Sequence, residues 1–103
     1  MQIDLLYFDG CPSWQGGLEN LKAALEAERL QADIRLVNVA DDVQSAHLKF
    51  LGSPSFCVEG VDLYPEERES YSLSCRIYIT PQGAKGAPTV EMLREKLRAA
   101  HKK

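Results

Sequence analysis

Apolar and polar positions alternate along the chain in rhythms that predict distinct elements. Residues 2–8 read Gln-Ile-Asp-Leu-Leu-Tyr-Phe, a nearly continuous apolar run of the kind a central strand buried on both faces requires. Asp9-Gly10 is a turn dipeptide, and Pro12 suits the first position of a helix, where its missing N–H would be unpaired in any case. Trp14, Leu18, Leu21 and Leu25 then recur at steps of four, three and four. That spacing predicts a helix from about Pro12 to Arg29 or Leu30, with Glu19, Asn20, Lys22 and Glu26 on its other faces. Residues 32–39 predict a second strand, in which Ile34, Leu36, Val37 and Val39 are set against Asp33, Arg35 and Asn38. A strand, a helix and a strand in close succession imply a right-handed crossover with parallel strands.

Farther along, Asp41 or Asp42 is a natural cap for a second helix. Val43, Ala46, His47 and Phe50 or Leu51 would share its apolar side, and Gly52 would end it. The stretch Ser53-Pro54-Ser55-Phe56-Cys57-Val58-Glu59-Gly60 holds a short apolar strand entered by a proline, which is tolerated only at the first residue or in a special turn. Residues 61–74 are expected to be a long connection, with the charge run Glu66-Glu67-Arg68-Glu69 in solvent. Residues 75–80 predict a fourth strand and residues 81–88 a loop. A last helix opens at Pro88 or Thr89 and carries Val90, Leu93, Leu97 and Ala100 as its apolar stripe. The order of elements predicts a single α/β domain over residues 1–103, with no linker, repeat or low-complexity tract.

Composition narrows the function classes. The formal net charge of −3 excludes the basic face that a nucleic-acid footprint needs, and the basic end His101-Lys102-Lys103 is too short to change that. No apolar run approaches the ~20 residues of a membrane span, and no basic start precedes a signal-like core. The expectation is a cytoplasmic protein with neither membrane nor nucleic-acid partner. Cysteine chemistry adds the candidate site. Cys11, Cys57 and Cys75 are odd in number and widely spaced, unlike a secreted disulfide framework. Without a Cys-x-x-Cys pair, and with His47 and His101 far apart, structural zinc is not expected; no cofactor is expected either. The three read as free thiols in a reducing compartment.

Of these, Cys11 stands at a strand-to-helix junction, where unpaired N–H groups favour an anion by about 0.3–1 kcal/mol, and up to ~2 in sheltered geometry. A thiolate there is easier to form than elsewhere, although the carboxylate of Asp9 opposes it if close. Cys57 is expected to be core packing. Cys75 either packs within its strand or, if the long connection folds over the pole of Cys11, resolves an oxidised Cys11. Trp14 is either a cover on the apolar side of that sulfur or a binding platform. Arg76 could balance a thiolate or an acidic substrate, and His47 reads as a packed histidine rather than a catalytic base.

Phe8-Asp9-Gly10-Cys11-Pro12-Ser13-Trp14, Gly52-Ser53-Pro54-Ser55 and the glycine-containing loop before the last helix together resemble the thioredoxin-like superfamily over nearly the whole chain. More narrowly, the chain resembles small Gly-Cys-Pro thioredoxin-like proteins, some of them associated with alkylmercury lyase. The resemblance implies a four-stranded mixed sheet of order 2-1-3-4 with the third strand antiparallel and helices on both faces. It also implies a cis Pro54 facing Cys11, with the edge at Ser53 and Pro54 open to an extended partner. Trp14 departs from the redox members, which carry a second cysteine there, so their dithiol exchange within the motif is unavailable. The functional expectation is therefore monothiol redox chemistry at Cys11, whose thiolate attacks a disulfide or peroxide of a protein or small-molecule substrate, the product then being resolved by Cys75 or by an external thiol such as glutathione. The alternatives are a non-enzymatic module that captures a soft metal or organomercurial on Cys11 with Cys75 or Cys57, and an interaction domain without chemistry that uses the edge at Pro54.

Overall fold

The computed structural model describes residues 1–101 of the chain; Lys102 and Lys103 of the basic C-terminal tail lie outside the described residues. Strand β1 (Gln2–Tyr7) leads through a turn to helix α1 (Trp14–Ala27), then to β2 (Asp33–Asn38) and the short helix α2 (Asp42–Leu48). β3 (Ser55–Val58) and β4 (Val61–Asp62) follow, then β5 (Tyr78–Thr80), β6 (Gly83–Lys85) and helix α3 (Val90–His101). Four strands form a mixed sheet in the order β2-β1-β3-β4. β1 runs parallel to β2, with Ile3 opposite Ile34 and Leu5 opposite Leu36. It runs antiparallel to β3, with Leu5 opposite Phe56.

The near-continuous apolar character of β1 follows from this central place. Ile3 and Leu5 point to one face, where they are fully buried with Phe56, with Leu21, Ala24 and Leu25 of α1, and with Leu93 and Leu97 of α3. Each such leucine, isoleucine or phenylalanine contributes roughly 1.5–3 kcal/mol by leaving water. Glu28, the C-cap of α1, accepts from Arg94 Nε (2.7 Å) and from an Arg98 guanidinium nitrogen (2.8 Å) of α3, so the two helices are also tied at their surface. Leu6 points to the opposite face, into a second cluster with Val39 and Phe50 that Phe8, Val37, Cys57 and Leu73 flank. Toward the start of β1 this face turns polar, and Asp4 meets Arg35 at 2.9 Å.

The structure corrects the sequence reading in three places. The fourth strand of the sheet is Val61–Asp62, not residues 75–80. Glu59 and Gly60 take φ of 50° and 84°, the double positive φ of a two-residue hairpin turn, which brings Val61 directly opposite Val58. Glu59 is held in this conformation from both ends. Its carboxylate accepts from the Gln2 N–H (2.8 Å) and its own N–H donates to the Gln2 carbonyl (3.0 Å). With that edge taken, Tyr78–Thr80 forms a separate hairpin with Gly83–Lys85, inside the segment expected to be a loop.

The second correction concerns α2, which buries only Ser45. Val43 is 78% exposed and His47 is exposed as well, so neither joins an apolar stripe. The cover of the second face comes instead from Phe50, in the turn beyond the helix. Both long helices, α1 and α3, pack against the same core on one face of the sheet. Third, α2 ends at Lys49 in the left-handed conformation (φ 53°) rather than at Gly52. Gly52 (φ 117°) has another task, since a Cβ there would lie 2.9 Å from Cβ of Arg76.

Candidate functional site

The C-terminal end of β1 and the N-terminal end of β3 meet at one pole of the sheet, because the two strands are antiparallel. Phe8-Asp9-Gly10-Cys11 closes a turn through the Cys11 N–H to the Phe8 carbonyl (3.1 Å). Helix α1 starts at Trp14, two residues later than its predicted Pro12 start, with Ser13 at its N-cap making no side-chain cap. Cys11 therefore precedes the helix rather than opening it. Its thiol is only 4% exposed and donates to the Ser53 carbonyl (Sγ···O 3.5 Å). The carboxylate of Asp9 is engaged elsewhere, accepting from Asn38 Nδ2 at 2.9 Å.

Facing Cys11 is the Ser53–Pro54 peptide bond, which is cis. Pro54 is locked in place by Gly17 of α1, where a Cβ would come within 3.0 Å of its ring, and by Tyr78, whose hydroxyl donates to the Pro54 carbonyl. The loop ahead of α3 closes on the same pole, where Gly86 lies so near Ser13 that an added Cβ would sit 2.1 Å from the Ser13 hydroxyl. All three stretches that carried the sequence resemblance thus meet at this pole.

Ser53 and Pro54, expected to offer an open edge, are fully buried. The occupant is the chain itself. Ser53 forms a parallel bridge with Cys75: the Ser53 N–H donates to the Ser74 carbonyl (2.8 Å), and the Arg76 N–H donates to the Ser53 carbonyl (3.0 Å). One carbonyl, that of Ser53, receives both the Cys11 thiol and the backbone beside Cys75. Trp14, the remaining candidate contact residue, stacks on Tyr7 with ring centroids 4.1 Å apart. It is half-buried and packs against the main core.

Cys75 is exposed, and residues 75–80 alternate strictly between exposed and buried. Its thiol is raised above the ordinary value, first by the little desolvation it feels, then by the charge and hydrogen-bonding capacity of neighbouring Cys11. Cys57 has a different neighbourhood. Burial, then Asp62 and Asp4, push it up to about 12, so it is an inert thiol on the strand between those carboxylates. The structure brings Cys11 and Cys75 together and leaves Cys57 apart from them.

Arg76 is the residue whose role the sequence left open. It is buried beneath the site, with the guanidinium donating to both carboxylate oxygens of Asp62 (3.2 and 3.0 Å) and to Ser55 Oγ (3.2 Å). It also donates to the Tyr64 carbonyl and lies over the ring of Tyr78, 5.1 Å from the centroid. It anchors the Cys75 segment to β3 and β4 and faces neither sulfur. Among the described residues no group of three or more His, Cys, Asp or Glu is arranged to hold a metal ion, and no helix is long and apolar enough to cross a membrane.

This cluster makes the fold sensitive to alkali. Tyr64 is raised from 10.0 to about 12 by burial, and Tyr78 is raised further for the same reason; Cys57 is raised from 9.0 to about 12. Each group keeps its proton in the folded chain at pH values where the unfolded chain has released it. The folded state therefore binds more protons, and stability falls as pH rises from about 9 toward 12. Urea unfolding across that range should give a steadily decreasing midpoint, with the onset moved toward pH 10 in Cys57→Ala. A midpoint that holds level to pH 11 would contradict the assignment. No protein-family model matches the chain, and neither does any curated protein or solved structure.

Proposed function

We propose that the chain is a thioredoxin-like thiol protein in which Cys11 and Cys75 act as a dithiol–disulfide pair, supplied by two loops rather than by one Cys-x-x-Cys motif. The observation that carries this reading is the bridge between Ser53 and Cys75, which sets Cys75 beside the residue whose carbonyl accepts from the Cys11 thiol. The sheet order and the cis Ser53–Pro54 bond support the thioredoxin-like part. In the reductive direction the pair gives up two electrons and two protons to a partner disulfide, which departs as two thiols, and the protein is left with a Cys11–Cys75 disulfide. A low-molecular-weight thiol such as glutathione restores the dithiol by the reverse exchange. Capture of a soft cation by the same two sulfurs is the competing reading, and it requires no turnover.

The test is a thiol count. After mild oxidation with oxidised glutathione and alkylation under denaturing conditions, Cys11 and Cys75 should be protected together and Cys57 should remain reactive. Cys57→Ser should behave identically at the other two positions. An oxidised protein in which Cys11 and Cys75 both still alkylate would exclude the pair.

A further inference from the structure

We propose, building on the dithiol reading, that partners exchange through Cys75 and that Cys11 is the internal thiol. Three observations carry this. Cys11 is 4% exposed, with its sulfur directed at the Ser53 carbonyl. Cys75 is exposed at the same place, and its orientation is enforced by its own strand. Arg76, Tyr78 and Thr80 point inward, while Cys75, Ile77 (69% exposed) and Ile79 (76% exposed) point outward. The inward set cannot turn over without breaking the Arg76 bonds to Asp62, Ser55 and Tyr64.

The stereochemistry of exchange then selects the sulfur. Attack on a disulfide runs nearly in line, so the incoming thiolate approaches the sulfur it attacks from the side opposite the one that leaves. At Cys75 that side is solvent and Cys11 is the leaving sulfur behind it. At Cys11 the corresponding side is protein. In the reductive direction the Cys75 thiolate attacks one sulfur of a partner R–S–S–R′, and R′–S⁻ leaves and takes up a proton. The Cys11 thiolate next attacks the Cys75 sulfur of the mixed disulfide, and R–S⁻ leaves and is protonated. Two electrons pass from the protein to the partner, and the Cys11–Cys75 bond forms. The arrangement inverts the expectation drawn from the sequence, in which Cys11 meets the partner.

Dithiobis(nitrobenzoate), which releases a coloured thiolate at each exchange, separates the two sulfurs. In a Cys57→Ser background, the chain with the additional Cys11→Ser should react about tenfold or more faster than the chain with Cys75→Ser. It should also retain the aryl adduct on Cys75. The parent, holding both thiols, should release two coloured equivalents and retain no adduct. In denaturant the two single-thiol chains should react at similar rates. Peptide mapping of the unsubstituted chain after substoichiometric alkylation with iodoacetamide, whose thioether Cys11 cannot displace, should give the same ranking without any substitution. Faster labelling of Cys11 in the folded protein, or a rate difference that persists in denaturant, overturns the assignment while leaving the pair itself intact. A parent that keeps its aryl adduct and forms no internal disulfide removes the dithiol reading and this inference with it.

Discussion

Serine in place of Cys11 should reduce turnover of a disulfide by a thiol reductant to the uncatalysed rate, a fall of roughly 10³-fold or more. The loss is large because a hydroxyl can neither form the internal disulfide nor expel a partner thiol from Cys75. The fold should be nearly indifferent to the change, since the serine hydroxyl can still donate to the Ser53 carbonyl, and stability should move by less than about 1 kcal/mol. Cys75→Ser should abolish turnover as completely, whereas Cys57→Ser should leave it unchanged, because Cys57 lies among carboxylates and holds its proton. A Cys11→Ser protein that retains multiple turnovers would refute the dithiol mechanism. Steady-state turnover and a urea unfolding curve on the same preparation decide the matter.

The second large effect is on stability. Arg76→Met removes the buried partner of Asp62, whose side chain is only 14% exposed, together with the bonds to Ser55 and the Tyr64 carbonyl. Breaking a buried ion pair from one side costs about 3–5 kcal/mol because the remaining charge is left unpaired. For a domain of this size that lowers the melting temperature by at least roughly 12 °C. The double change Arg76→Met with Asp62→Leu should recover most of the loss, since well-packed apolar side chains can replace such a pair at little net cost. A single variant as stable as the parent would show that the guanidinium does not hold this segment. A double variant no better than the single one would assign the loss to packing instead of charge.

Local pattern disclosed much of this molecule, and the rest depended on long-range choices. β1, α1, β2 and α3 were legible because each has an apolar period long enough to distinguish a strand from a helix. The cis Pro54 facing Cys11 was legible through short stretches resembling a known superfamily. The β3–β4 hairpin was not, because its first turn residue is Glu59, and glutamate gives no signal for a positive φ. That conformation is held by Gln2, far away in sequence. Once the hairpin occupied the sheet edge, residues 75–80 had to go elsewhere, so one unread turn displaced a whole strand. α2 misled for a different reason: two turns are too few for a spacing to mean burial, and Val43 is exposed although it falls on the expected side. The direction of Arg76 was likewise invisible, as it is set by Asp62 and Tyr64 across a connection whose course the sequence does not specify.

The bridge at Ser53 has a competitive consequence. An outside peptide that seeks hydrogen bonds at that residue meets residues 74–76 already there, tethered to the same molecule and present at an effective concentration in the millimolar range. A peptide that would hold the vacant edge with micromolar affinity is weakened roughly 10³-fold by a tethered rival of equal intrinsic affinity. On the proposed dithiol reading, long clients that rely on strand pairing would be selected against, while compact disulfides, which need only reach the exposed sulfur of Cys75, would encounter no such rival.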